Sequence, residues 1–281
     1  MARQFAPRWA DERAAWWEDI GPVASLDFGL AVTLEDFDAA FRFLHDRYVE
    51  TGAMAPEASG RRLNLHNLLL STKVFLAKGG GRVVGTMTMV EDSRLGLPMD
   101  EAFGPELGQL RDRGRRLTEA SSLTIDPAWR ASGVAILVRL FRLVMLCATR
   151  IARADDLCFV VHPRYGGFYR RLFPFQRFRR TATYRRMANR PVIGLRLDLG
   201  LIRALLRTES AGLSAGPQTR FMCGPEIYRE LMGRLRSDLP RSGLTPPEWA
   251  RLFATDEPAD RSVCAAAALA SAVNSDTGDS G

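Results

Sequence analysis

Lysine is almost missing from this chain. Of its 39 basic residues only Lys73 and Lys78 are lysines, so the formal net charge of +7 and the pI near 9.7 rest on arginine. Guanidinium groups favour forked contacts with phosphate or carboxylate, which points to an anionic partner without choosing among cofactor phosphate, acidic protein, membrane surface and nucleic acid. Cysteine is scarce too. Cys147, Cys158, Cys223 and Cys264 lie far apart with no Cys-x-x-Cys pair, which argues against a zinc site or a disulfide scaffold. A reducing compartment and no bound metal are the expectation.

Long apolar runs are also lacking. The longest, residues 134–148, is interrupted by Arg139 and Arg142 and falls short of the roughly 20 residues a membrane-crossing helix needs. The opening residues MARQFAPRWADERAAWWEDI carry scattered charges and no continuous apolar core, unlike a secretory signal. A cytoplasmic location with no bilayer-crossing segment is expected.

What is present is enough to build a large core: 281 residues, 46% of them apolar. The pattern divides into a Trp-rich lead-in over 1–24, a catalytic domain over 25–199, a helical extension over 200–260 and an Ala- and Ser-rich disordered tail over 261–281. Strands are expected at 26–33, 73–77, 82–90, 116–125, 157–161, 177–186 and 191–199, with a hairpin at Lys78-Gly-Gly-Gly81 and an antiparallel pair at the end. Thr33-Leu-Glu-Asp36 resembles a capping box, after which Phe37, Phe41, Leu44 and Tyr48 recur as one helical face. Residues 49–71 read as a long loop with a short helix near 65–70, and 91–114 as a partly helical insertion. A helix follows over 133–153, another begins at Pro163, and short helices lie near 201–207, 225–236 and 246–253. The class is α+β, a mixed sheet of about seven strands flanked by helices.

The chemistry concentrates after the fourth strand. Arg130-Ala131-Ser132-Gly133-Val134-Ala135 has the form Arg-x-x-Gly-x-Ala between a strand and an apolar helix, where backbone N–H groups and a helix N-terminus can face phosphate. Glu119, on that strand, is the candidate base. Downstream, Phe168-Tyr-Arg-Arg-Leu-Phe-Pro-Phe175 supplies Tyr169, and His162 stands at the end of strand five. His45 and His66 have no recognisable chemical partner and read as structural.

From Arg164 to Arg190 the chain holds many arginines and no acidic residue. Phenylalanines interleave with them, but no RNA- or DNA-binding motif accompanies the patch, so a nucleic-acid partner is not expected. Such a run usually marks a solvated face; contact with phosphate or with a membrane surface is the competing reading.

Longer segments sharpen this. LSTKVFLAK, VVGTMTMVEDSRLGLPMDEAFGPEL, RRLTEASSLTID, DDLCFVVHPRYGGFYRRLFPF and PVIGLRLDL, spread over roughly 25–199, resemble the FeeM-type N-acyl amino acid synthases, relatives of acyl-homoserine-lactone synthases within the GCN5-related N-acetyltransferase (GNAT) superfamily. The resemblance implies a GNAT fold and transfer of a long-chain acyl group from acyl carrier protein, or from acyl-CoA, to the amine of an amino acid. It implies no tightly bound cofactor; the acyl-phosphopantetheine thioester is a substrate. Glu119 aligns with the acid of the family's E-x-S-R-L pattern and Tyr169 with the tyrosine that protonates the leaving thiolate in many GNAT enzymes. Leu123, Ile125 and residues 130–135 would hold the pantetheine and its phosphates, while Arg170, Arg171, Arg177, Arg179 and Arg180 would suit carrier docking.

Two positions depart from the family: Ser122 stands where the pattern has Arg, and Phe173-Pro174 replaces the glycine before the last aromatic. They leave open a non-catalytic acyl-binding module, and the intact phosphate turn leaves open an acetyl-CoA-dependent N-acetyltransferase.

Overall fold

The computed structural model describes residues 25–210 and 225–253, together with Val23. Most of the lead-in, the tail, Cys223 and Cys264 lie outside the described residues.

Seven strands form one sheet in the order β1-β2-β3-β4-β5-β7-β6. These are β1 (Leu26–Leu30), β2 (Lys73–Gly79), β3 (Arg82–Glu91), β4 (Leu117–Ile125), β5 (Asp156–Val161), β6 (Gln176–Tyr184) and β7 (Arg190–Asp198). Every neighbouring pair is antiparallel except β4 and β5, which run parallel. The expected closing pair is present, but β7 inserts between β5 and β6, a position local pattern does not reveal. The class is the mixed α+β sheet expected.

Helix α1 (Leu34–Glu50) starts where Thr33 accepts the Asp36 N–H through its hydroxyl. The capping box is not reciprocal, because the Asp36 carboxylate takes the Val32 N–H at 3.1 Å instead. β1 ends at Leu30, short of the expected boundary, although the Ala31 N–H still reaches the Val74 carbonyl of β2 at 2.8 Å. The β2–β3 turn narrows to Gly80 and Gly81, both left-handed at φ 56 and 77, which a two-residue type I′ hairpin demands of its central pair.

The sheet buries a different core on each face. On one side lies α3 (Gly133–Arg150), whose residues from Ala135 to Thr149 are buried except Arg139, joined by α4 (Gly166–Leu172) and its aromatics. With the turn before it, this helix gives a 24-residue stretch long and apolar enough to cross a bilayer by length and composition. The helical segment is longer than the apolar run it contains, and burial accounts for that run's character: 72% of its most apolar 18-residue window lies inside the protein. On the other face, α2 (Asp100–Arg111) from the 91–114 insertion packs Phe103, Leu107 and Leu110 with Val90, Cys158, Tyr184 and Val192.

Helix α5 (Leu199–Ser210) follows β7 directly, and α6 (Pro225–Asp238) covers the β1 edge. Its buried Asp238 accepts the Leu30 N–H at 3.0 Å, satisfying an edge-strand donor. Helix α7 (Pro246–Phe253) sets Trp249 against Phe37 and Phe41 of α1 at 6.0 and 6.1 Å between ring centres. At the head of β5, the fully buried Asp156 accepts from Arg115 and from Arg196 Nε at 2.6 Å, locking the starts of β4 and β5 to the end of β7.

Candidate active site

Strands β4 and β5 stay paired only through Leu117–Asp156, Thr118–Leu157 and Glu119–Cys158. Beyond Glu119 they part. β4 turns away at a bulge: the β3–β4 register moves from Thr88–Ser121 to Thr86–Thr124, which inserts one residue. Ser122 sits in that bulge at φ 54, a left-handed conformation costly for a residue with a Cβ. The gap between the strands is a cleft of about 220 Å³. Glu119 to Leu123 form one wall and Phe159 to His162 the other.

Glu119 stands at the vertex, with 1% of its surface exposed. Its Oε2 accepts the backbone N–H of Met99 at 2.7 Å. Burial penalises the carboxylate and raises its pKa to about 8, while the Met99 N–H and the Arg186 charge pull the other way. The loop that carries Met99 is held in place by Arg111, which donates to Asp92 and Asp100 at 2.6 Å each. Thus the insertion between β3 and β4 positions the hydrogen-bond donor of the candidate base.

Tyr169 also lines the cleft, buried on α4 against Phe159 at 5.0 Å and Phe141 at 5.9 Å between ring centres. Burial pushes its hydroxyl well above the ordinary tyrosine range, so it holds its proton as an acid would. His162 lines the cleft as well. Its Nδ1 accepts the Arg164 N–H at 3.3 Å and caps the 3₁₀ turn Pro163–Tyr165, which precedes α4 where a single helix was expected.

The strand-to-helix turn that carries the phosphate motif is itself helical. Pro127–Ser132 forms a 3₁₀ helix leading straight into α3, and the Gly133 N–H bonds to the Arg130 carbonyl. Arg130, Ala131 and Val134 are exposed at this helix start, whereas Ala135 is buried. Of the eight residues assigned to the thioester carrier only Leu123 lines the cleft; Ile125 and residues 130–135 lie outside its walls.

The arginine run is not uniform. Arg170, Arg171, Arg177 and Arg179 are exposed. Arg180 is committed to the fold, donating to the Ala102 carbonyl and pairing with Glu106 at 3.1 Å. Arg190 donates to the Thr51 and Gly52 carbonyls at 3.1 Å each, tying β7 to the end of α1. Arg186 reaches the cleft itself. Together with Tyr48, Arg62, Asn64, Pro98, Tyr165, Tyr184 and Met187, it forms walls that sequence reasoning did not assign. Most of these come from the long loop, the insertion and the β6–β7 turn. The helical spacing of Tyr48 and the arginine density were the only signals.

His45 is structural: its Nε2 accepts the Glu57 N–H at 3.1 Å. Cys147 and Cys158 are buried free thiols. Among the described residues no cluster of three or more metal-binding side chains occurs.

A carboxyl that burial holds near neutral pKa, placed where two parallel strands separate, suits the freeing of an amine to attack a thioester seated in the gap. Fold and site together define an N-acyltransferase of the GNAT type. Residues 39–198, more than half of the chain, match the family described as N-acyl amino acid synthase FeeM, and the chain belongs to that family. The solved FeeM, an N-acyl amino acid synthase from uncultured soil microbes, is similar at TM-score 0.55 and 24% identity, over 64% of this chain and 94% of that one. Also similar are the acyl-homoserine-lactone synthase LasI (TM-score 0.47, 14% identity, 62% of this chain and 89% of that one) and an acyl-CoA N-acyltransferase from Pseudomonas aeruginosa (TM-score 0.42, 14% identity, 61% and 99%). No curated protein matches the chain.

Proposed function

We propose that the protein transfers a long-chain acyl group from the phosphopantetheine thioester of an acyl carrier protein to the amine of an amino acid. The observation that carries this reading is Glu119, buried at the point where β4 and β5 part and beside the β4 bulge.

In this reading the pantetheine arm lies between the strands, with its phosphate at the exposed start of α3 near Arg130. Bulge residues Ser122 and Leu123, which have no paired partner on β3, hold the thioester carbonyl from their backbone. An amino acid arrives mostly as the ammonium form, so a proton must leave before nitrogen can attack. The Glu119 carboxylate takes it. The amine then forms a bond to the thioester carbon, the carbon–sulfur bond breaks, and the departing sulfur receives a proton from Tyr169. Tyr169 recovers its proton from the nitrogen, leaving an amide and a free thiol, and Glu119 releases its proton to solvent.

An acidic carrier fits the exposed guanidinium groups of Arg164, Arg170 and Arg171, which follow the C-terminal end of β5. Steering by such charges speeds encounter and is weakened by salt. The test presents acyl carrier protein and acyl-CoA thioesters separately, each with the twenty amino acids, and reads products by mass spectrometry. N-acyl amino acids formed faster from the carrier thioester are expected. Their absence with both donors overturns the reading, and preference for CoA overturns the carrier assignment.

A further inference from the structure

Arg62 faces the cleft without a carboxylate to pair with among the described residues. Its guanidinium is held by other means: Nη2 donates to the Arg186 carbonyl at 3.1 Å, Nη1 to Met54 Sδ at 3.5 Å, and the group lies 4.3 Å from the centre of the Tyr48 ring. Such a group is expensive to seat beside apolar side chains unless an anion compensates it. Arg186 is nearly in the same position. Its carboxylate contact is Glu101 at 3.6 Å, and the other Glu101 oxygen already accepts the Arg185 N–H at 3.0 Å. Both arginines line the cleft with Glu119, and the Arg186 charge is felt at that carboxyl. Asn64, a third lining residue, spends its carbonyl oxygen on the His66 N–H at 2.9 Å, which leaves its amide nitrogen as a donor.

We propose that Arg62 and Arg186, with Asn64, form the subsite that holds the α-carboxylate of the acceptor. The proposal rests on the N-acyltransferase reading and adds the means by which the acceptor is selected. In an α-amino acid one carbon separates the carboxylate from the nitrogen, so anchoring the first on the arginine pair fixes the second near Glu119. Amines without an adjacent anion, such as polyamines, amino amides and protein lysines, would leave Arg62 uncompensated and Arg186 with only its 3.6 Å contact to Glu101. Selection therefore acts on the free carboxylate.

Binding, which needs no turnover, tests this. Isothermal titration calorimetry with N-dodecanoyl-L-alanine and its carboxamide should give the acid at least tenfold tighter affinity for the full-length protein. Arg62→Gln and Arg186→Gln should each bring the two ligands closer, and the double variant to within about twofold, with amide affinity unchanged as the control for an intact pocket. Arg62→Lys should keep part of the preference. Equal affinity of acid and amide for the unmodified protein overturns the subsite, as does no detectable binding of the acid at millimolar concentration. A preference that survives the double variant also overturns it. Acid preference without turnover upholds the subsite while the transferase reading falls. Equal turnover of alanine and alaninamide does the reverse.

Discussion

Replacing Glu119 with Gln should cut turnover sharply and stabilise the fold, and the second effect should depend on pH. The carboxyl moves from an ordinary pKa of 4.5 to about 8 because it is buried. As an acid with a raised pKa, it binds its proton more tightly in the folded chain. Its stability contribution is full below pH 4.5 and is lost as pH rises through 8; the folding penalty is about 3 kcal/mol at pH 7, about 4 kcal/mol at pH 8 and about 5 kcal/mol above pH 9. The amide has no charge to bury and keeps an oxygen for the Met99 N–H, so it escapes the penalty without losing the contact. Thermal unfolding should show E119Q within about three degrees of the parent at pH 5. At pH 8 it should lie well above it, at roughly 2–4 °C per kcal/mol for a chain of this size. Turnover should fall at least about a hundredfold. In the parent, the ionised fraction rises from about 9% at pH 7 to about 91% at pH 9, so kcat should climb roughly tenfold over that range, and E119Q should lack this inflection. A stability difference that does not widen with pH refutes the raised pKa. An unchanged rate removes Glu119 from the role of base.

Other residues give sharp expectations. Asp156→Ala leaves Arg115 and Arg196 without the buried carboxylate they share, and urea unfolding should register a loss of about 3–5 kcal/mol. Trp249→Ala removes the ring that α7 packs on Phe37 and Phe41; a loss of about 3–5 kcal/mol is expected, and one under about 1 kcal/mol would mean that α7 adds little. Gly194→Ala puts a Cβ 2.4 Å from Phe178 and 3.3 Å from Phe103, so overpacking should cost about 1–3 kcal/mol in the same assay. Ser122→Val forces a branched side chain into the left-handed bulge and should lower both melting temperature and kcat, whereas Ser122→Gly should hold the melting temperature; equal behaviour of the two variants would dismiss the bulge as a constraint.

Much of the scaffold was legible because its signals are local. Alternating apolar residues marked strands, Gly80-Gly81 marked the hairpin, and Phe37, Phe41 and Leu44 marked the buried stripe of α1. Element ends were less legible, as at β1, which stops at Leu30 rather than running to 33. Glu119 was visible as a strand acid in a family-like pattern, but its setting was not. Its depth depends on α2 packing over one face, and its donor comes from twenty residues upstream.

Composition alone made this protein arginine-rich, poor in cysteine and large enough for a full core, and the order of apolar and turn residues set its strands and helices. Tertiary structure decided which strands separate, that β7 lies between β5 and β6, and that Tyr48, Arg62, Asn64 and Arg186 share one cleft with Glu119. The physical reason is range. Period and capping act over a few residues, whereas a site assembled from a helix end, a loop and two turns exists only once the sheet has brought distant segments together.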